Sequence, residues 1–80
     1  MVIGYVLIST EPTTEIEVFK KLSKEPDIIE LHPLFGEYDI IAKIKAVNSD
    51  KLARIIITKI RSLEGVVNTK TLTGTKFELK

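Results

Sequence analysis

Apolar positions alternate, shift to helical spacing and alternate again, and the chain does this twice. From Val2 to Ser9 both alternating sets are apolar: Val2, Val6 and Ile8 on one, Ile3, Tyr5 and Leu7 on the other. A strand of that kind calls for cover on both faces. Ser9 to Glu15 offers helix-capping and first-turn residues. Ile16, Val18, Phe19 and Leu22 follow at helical spacing, Lys20, Lys21 and Lys24 fall late, where the helix dipole favours cations, and Pro26 stops the helix. Ile28 to Phe35 reads as a second strand, with Pro33 marking an edge, a bulge or its end. Gly36-Glu37 makes a short turn.

Tyr38 to Ala46 alternates most clearly. Tyr38, Ile40, Ala42, Ile44 and Ala46 share one face; Asp39, Ile41, Lys43 and Lys45 share the other. Asn48-Ser49-Asp50 caps a second helix whose stripe is Leu52, Ile55, Ile56, Ile60 and Leu63, and Gly65 suits its end. Val66 to Leu72 is a fourth strand, with Thr69, Thr71 and Thr73 on one face. Gly74 breaks it, and Thr75 to Leu79 is a candidate short edge strand. The order βαββαβ with right-handed crossovers predicts an α+β, ferredoxin-like sandwich: a four-stranded antiparallel sheet with both helices on one face. The other face is left bare. Because the first strand is apolar on both sides, that bare face is expected to meet a second subunit, in a dimeric α/β-barrel type of pairing.

The chain's 80 residues make one domain, 1–80. A domain this small buries only about 60–65% of its unfolded surface. With no cysteine, disulfides and thiolate sites are excluded, and a single histidine cannot build a multi-histidine metal site. No cofactor is expected. Net charge is +1, without the basic surplus of a dedicated nucleic-acid binder, and only Arg54 and Arg61 are arginines. No apolar run approaches the ~18 residues of a membrane span, and the N-terminus lacks the marks of a signal peptide. A cytoplasmic protein without a membrane partner is expected. The absence of cysteine, one methionine and abundant Ile, Lys and Glu fit a heat-tolerant protein.

Candidate chemistry is sparse. No G-x-S-x-G motif accompanies His32, which reads as a surface or edge-strand residue. Glu37 belongs to the turn and Asp39 to the start of the strand, so the turn splits them and they make a poor acid–base pair. The loop after the first strand has no arginine for an acylphosphatase-like phosphate site. Tyr5 and Tyr38 are the only aromatics for an RNA-recognition surface, and Lys43 with Lys45 reads as a solvated face. What remains is Gly36-x-x-Asp39. It is either a turn, with glycine supplying an unusual φ and Asp39 satisfying nearby amides, or a ligand loop. In the second case open backbone, a carboxylate for an ammonium group and threonine hydroxyls for a carboxylate would together suit a zwitterion such as a free amino acid.

The residues "GEYDIIAKI" (Gly36 to Ile44), "SLEGVVNTKT" (Ser62 to Thr71) and the helix ending before Pro26 resemble the effector, or RAM, domain of the Lrp/AsnC regulator family. The similarity runs along nearly the whole chain. Met1 begins directly on the first strand, so the chain resembles a stand-alone RAM module without the family's helix-turn-helix, and no direct DNA binding is expected. The resemblance implies a non-enzymatic module forming dimers and rings of dimers, an octamer or a decamer. It implies a free amino acid as effector, at contacts between dimers. The ligand-binding candidates it implies are Leu34, Gly36, Tyr38, Asp39, Thr69 and Thr71. Gly36 would make backbone contact, Asp39 would meet the ammonium group or fix the loop, and Thr71, with Thr69 or Thr73, would meet the carboxylate. A partner would then carry the signal to transcription of amino-acid metabolism, one candidate being a full-length regulator of the same family. Two alternatives stand beside it: a purely structural oligomerisation module, and an ACT-like amino-acid-binding domain, whose ligand loop follows the first strand rather than the second.

Overall fold

Alternation carries the sheet. The computed structural model, which describes residues 1–74, runs β1 (Val2–Thr10), α1 (Glu15–Leu22), β2 (Ile28–Pro33), β3 (Ile40–Ala46), α2 (Ser49–Ile55) continued by a π-helical segment (Ile56–Arg61), and β4 (Val66–Thr73). The candidate strand at Thr75 to Leu79 lies outside the described residues. The sheet is antiparallel in the order β2-β3-β1-β4. This is the ferredoxin-like sandwich that the order of elements predicts.

One face of the sheet carries the core. Val6 and Ile8 of β1, with Ile40, Ala42 and Ile44 of β3, are buried against Val18 and Leu22 of α1, Leu52 of α2, and Ile56 and Ile60 of the π-helical segment. Burying a residue of this size contributes roughly 1.5–3 kcal/mol each, which is how so short a chain holds together. On the other face Ile3, Tyr5 and Leu7 are only partly buried, and Ile41 pairs with Leu7. β1 is therefore covered on one side by the helices and on the other only by its neighbours in the sheet.

Four local readings change. β2 ends at Pro33 rather than Phe35, because the next amide, Leu34 N, turns to donate to Asp39 O at 2.7 Å. β3 starts at Ile40 rather than Tyr38 for the same reason. Ile16 is exposed, not core: it sits two residues, about 200° around the helix, from the buried Val18. The first helix has no side-chain cap; Thr14 Oγ1 donates back to Glu11 O at 2.7 Å instead.

The second helix widens halfway. Thr58 Oγ1 donates to Arg54 O at 2.7 Å and Ser62 Oγ to Thr58 O at 2.6 Å. Each hydroxyl takes a carbonyl that an i+4 amide would otherwise share, which favours a wider turn there. Asn48 caps the start as the sequence implies, its Oδ1 accepting from Lys51 N at 2.8 Å.

Gly65 closes this helix at φ +99°, and its carbonyl accepts from Glu11 N at 2.8 Å, tying the two turns at one end of the sheet together. A Cβ at Gly65 would lie 3.0 Å from Thr14 Oγ1 and 3.1 Å from Val18 Cγ2. Gly65→Ala is expected to cost about 1–3 kcal/mol from backbone strain and crowding together. Thermal unfolding should show it as a fall of roughly 4–8 °C per kcal/mol.

Candidate functional site

The loop between β2 and β3 is built by hydrogen bonds rather than by packing. Leu34 and Asp39 close it through Leu34 N to Asp39 O, and Asp39 N donates to Ile8 O at 2.9 Å, anchoring the loop to β1. The carboxylate repeats that anchor. Asp39 Oδ2 accepts from Thr10 N at 2.8 Å and from Thr10 Oγ1 at 3.2 Å. Thr10 is buried, so this is where a backbone amide at the end of β1 finds its partner. Asp39 Oδ1 has no hydrogen-bond partner among the described residues.

Between these anchors the chain is bare. Gly36 sits at φ +140°, a conformation open essentially to glycine alone, and a Cβ built on it would meet nothing within 4 Å. Phe35 beside it is fully exposed. Tyr38 is half-buried and belongs to the loop, not to a strand. Leu34 and Asp39, with Pro33 and Ile40, face Glu15, Ile16, Phe19 and Lys20 of α1 across a groove of about 360 Å³.

Thr69 and Thr71 are elsewhere. They stand on the edge strand β4, paired to Ile8 and Val6 across β1, and line a separate cleft of about 410 Å³ with Asn68, Ile56 and Arg61. Thr73 joins Thr71 and Arg61 in an adjoining cleft. Within one chain the structure brings Leu34 and Asp39 together with Gly36 and Tyr38 in the same loop, and sets the threonines apart. Arg61 beside the threonines went unnoticed in the sequence. Its signal was weak: it is one of two arginines, and only the end of the widened helix carries it to β4.

Charged groups also gather on the open face of the sheet. Glu30 Oε1 lies 3.2 Å from His32 Nε2, and Lys43 Nζ lies 3.2 Å from Glu30 Oε2 and 5.8 Å from the centre of the Tyr5 ring. His32 is an exposed residue of the edge strand, as its place before Pro33 implies. The His32 hydrogen bond, then that of Lys43, holds the Glu30 carboxyl below its ordinary value of 4.5; Glu30 in turn holds Lys43 above 10.5. The signs follow. Glu30's contribution is present above pH 4.5 and fades as pH falls through its lowered value; Lys43's is present below pH 10.5 and fades as pH rises through its raised one. His32→Ala and Lys43→Met are therefore each expected to move the Glu30 titration up toward 4.5. A carboxyl ¹³C NMR titration checks both; a Glu30 titration that stays in place in either variant contradicts it.

A larger cleft, about 490 Å³, lies at the opposite end of the sheet among Met1, Ile29, Val47 and Ile55, far from this loop. No helix among the described residues is long and apolar enough to cross a membrane, and none of their His, Cys, Asp and Glu groups clusters to hold a metal. The fold and the anchored glycine–aspartate loop thus define a small α+β domain whose open chemistry lies at a strand-connecting loop.

The Lrp/AsnC ligand-binding-domain model matches residues 3–76. An uncharacterised HTH-type transcriptional regulator of Pyrococcus furiosus is 37% identical over 72 residues, covering 86% of this chain and 48% of that protein. The crystal structure of FFRP-DM1 superposes with a TM-score of 0.90 at 32% identity, over 94% of this chain and 100% of that one. A regulator from Neisseria meningitidis, NMB0573, crystallised with L-Met, shares the fold at a TM-score of 0.84 and 17% identity, over 94% of this chain and 50% of its own. The chain belongs to the Lrp/AsnC family through its ligand-binding domain. It spans about half the length of the curated relatives it matches.

Proposed function

We propose that this domain is a non-enzymatic, amino-acid-responsive regulatory module of the cytoplasm, working as dimers and as rings of dimers. The observation that carries this reading is the Leu34–Asp39 loop. Its Asp39 end is fixed to β1 by three hydrogen bonds and its Leu34 end is closed onto Asp39 O, while a Cβ at Gly36 in its middle would meet nothing within 4 Å. A ligand gains most from groups held in place before it arrives. Asp39 Oδ1 is the acceptor for an ammonium group.

The carboxylate end needs a second source. Thr69 and Thr71 stand across β1 from the loop, in another cleft, so they serve one zwitterion together with Gly36 and Asp39 only when a neighbouring subunit supplies them. A ligand that bridges two dimers stabilises the ring in which both halves meet. A partner, for example a full-length regulator of the same family joined by subunit exchange, then reads the assembly and alters transcription. That the Neisseria relative was crystallised with L-Met supports an amino acid as the effector class.

A structural reading competes on one observation: Asp39 Oδ2 is already engaged by Thr10, which suffices to explain a carboxylate at this place. Thermal unfolding against each of the common amino acids, with light-scattering mass alongside, separates them. A selective rise in midpoint with a change in mass is expected. A flat panel at constant oligomeric mass would leave an oligomerisation module only.

A further inference from the structure

We propose that copies of this chain join end to end, with Phe35 of one copy seated in the cleft of about 490 Å³ at the far end of the sheet in the next. The inference rests on assembly beyond the dimer in the reading above, and not on its effector.

Phe35 is fully exposed, so the whole ring stands in water. An aromatic side chain has about 150–250 Å² to gain by being covered. The loop beneath it is held in place: Leu34 N donates to Asp39 O, Asp39 N donates to Ile8 O, and Thr10 donates to the Asp39 carboxylate. A ring presented on a tied loop loses less freedom when it docks.

β2 and β3 are antiparallel, so the loop that joins them lies at one end of the pair, and the start of β2 and the end of β3 lie at the other. That other end holds the cleft, walled by Pro26, Ile29, Val47 and Ile55. Ile29 is 47% exposed and Val47 60%, and neither belongs to the core. No copy reaches its own cleft with its own Phe35. The contact therefore joins two different surfaces, and copies linked in this way close into a ring or run on as a filament. One ring in one cleft is small beside the ~1,600 Å² of a standard interface. Pairing into dimers doubles it, because each dimer presents both features twice, and the second contact then forms at high effective concentration.

Charge favours this seat. Lys45 and Lys51 line the cleft against the single carboxylate of Asp27, and among the described residues neither lysine makes an ion pair. Glu37 stands exposed two residues beyond Phe35, and it too makes no ion pair there. A ring entering the cleft brings Glu37 to the lysines. The rival seat is the groove beside α1 in another copy. Its lining has the opposite balance, Glu15 and Asp39 against Lys20, and would set Glu37 against carboxylates.

Light-scattering mass of the purified protein across a concentration series, with no amino acid added, tests this. The wild type is expected above the dimer mass. Phe35→Ser and Val47→Glu, both at exposed positions, should each keep the far-UV circular dichroism and weaken association beyond the dimer by about tenfold or more. Glu37→Lys, which sets a cation against Lys45 and Lys51, should weaken it as well. An equal mixture of Phe35→Ser and Val47→Glu is expected to regain mass that neither has alone, since each keeps the half that the other lacks. Association unchanged by Val47→Glu or by Glu37→Lys, or a mixture that stays at the mass of its components, overturns the contact while rings of dimers survive as a reading. Loss of association on Ile16→Ser with none on Val47→Glu places the ring in the groove beside α1, and also overturns it. A wild type that stays at the dimer mass throughout ends the proposal, and the amino-acid panel then decides the effector reading separately.

Discussion

Asp39→Ala is expected to lower stability and amino-acid affinity together, and Asp39→Asn to separate the two. The alanine removes the acceptor of Thr10 N and Thr10 Oγ1. Thr10 is buried, so its amide is left without a partner, at about 1–3 kcal/mol. In a domain this size that is roughly 4–8 °C per kcal/mol. The backbone bonds Asp39 N to Ile8 O and Leu34 N to Asp39 O survive either substitution, so the loop stays tied to β1. Asparagine keeps an oxygen for Thr10 but loses the charge, so its melting midpoint should recover most of the deficit. Its affinity for an amino acid should stay down, by about tenfold or more for the loss of a charged contact to ammonium. Unfolding curves and calorimetry on the two variants decide it. Equal affinity in wild type and Asp39→Asn would confine Asp39 to holding the loop; in neither variant should the mass of the unliganded protein change.

The contact with Thr10 explains what the sequence did and did not reveal about this residue. Gly36-x-x-Asp39 stood out because a glycine and a carboxylate open a clean strand, and the structure shows both parts of its turn reading: the positive φ at Gly36 and the amide that Asp39 satisfies. The partner did not stand out. Thr10 lies 29 positions away, and only the register that sets Ile8 against Ile40 brings the two together. Long-range register of this kind depends on which face each strand buries, and alternation fixes the face but not the offset.

Other features divide along the same line. The order of elements was legible because β1 and β3 alternate cleanly and because Pro26, Asn48 and Gly65 punctuate the helices. The strand ends at Phe35 and Tyr38 were misread because their apolar character continues past the point where Leu34 N leaves the ladder. Ile16 was misread because an apolar residue near a helical stripe looks like core; that a large apolar side chain stays in water there is instead what draws attention to the groove. The widening at Ile56–Arg61 was invisible, since it is decided by two hydroxyls choosing carbonyls. With it went the position of Arg61 against β4. The threonines were read correctly as one face of a strand, yet which cleft that face borders depended on β4 being the far edge of the sheet.

Leu7→Glu is expected to abolish pairing of the protein through its sheet without unfolding the chain. Leu7 is at the middle of β1, on the face away from the helices, between Ile41 on β3 and Lys70 on β4. Ile3, Tyr5, Ile41 and Leu72 flank it on the same surface. In the monomer this face is only partly covered, and Lys70 directly across the ladder gives a glutamate a partner, so the fold should tolerate the change. In a sheet-to-sheet dimer the same carboxylate would be enclosed between two such surfaces with little water. Burial of an incompletely paired charge costs several kcal/mol, and each ~1.4 kcal/mol weakens association tenfold. A loss of about 3–5 kcal/mol corresponds to a dimer weakened roughly 10²- to 10⁴-fold. Light-scattering mass across a concentration series should show the wild type paired and Leu7→Glu falling to the monomer, with far-UV circular dichroism unchanged. A variant that keeps its mass would move the dimer contact off this face. It would also leave the doubly apolar character of β1, the first oddity in the chain, without a cause.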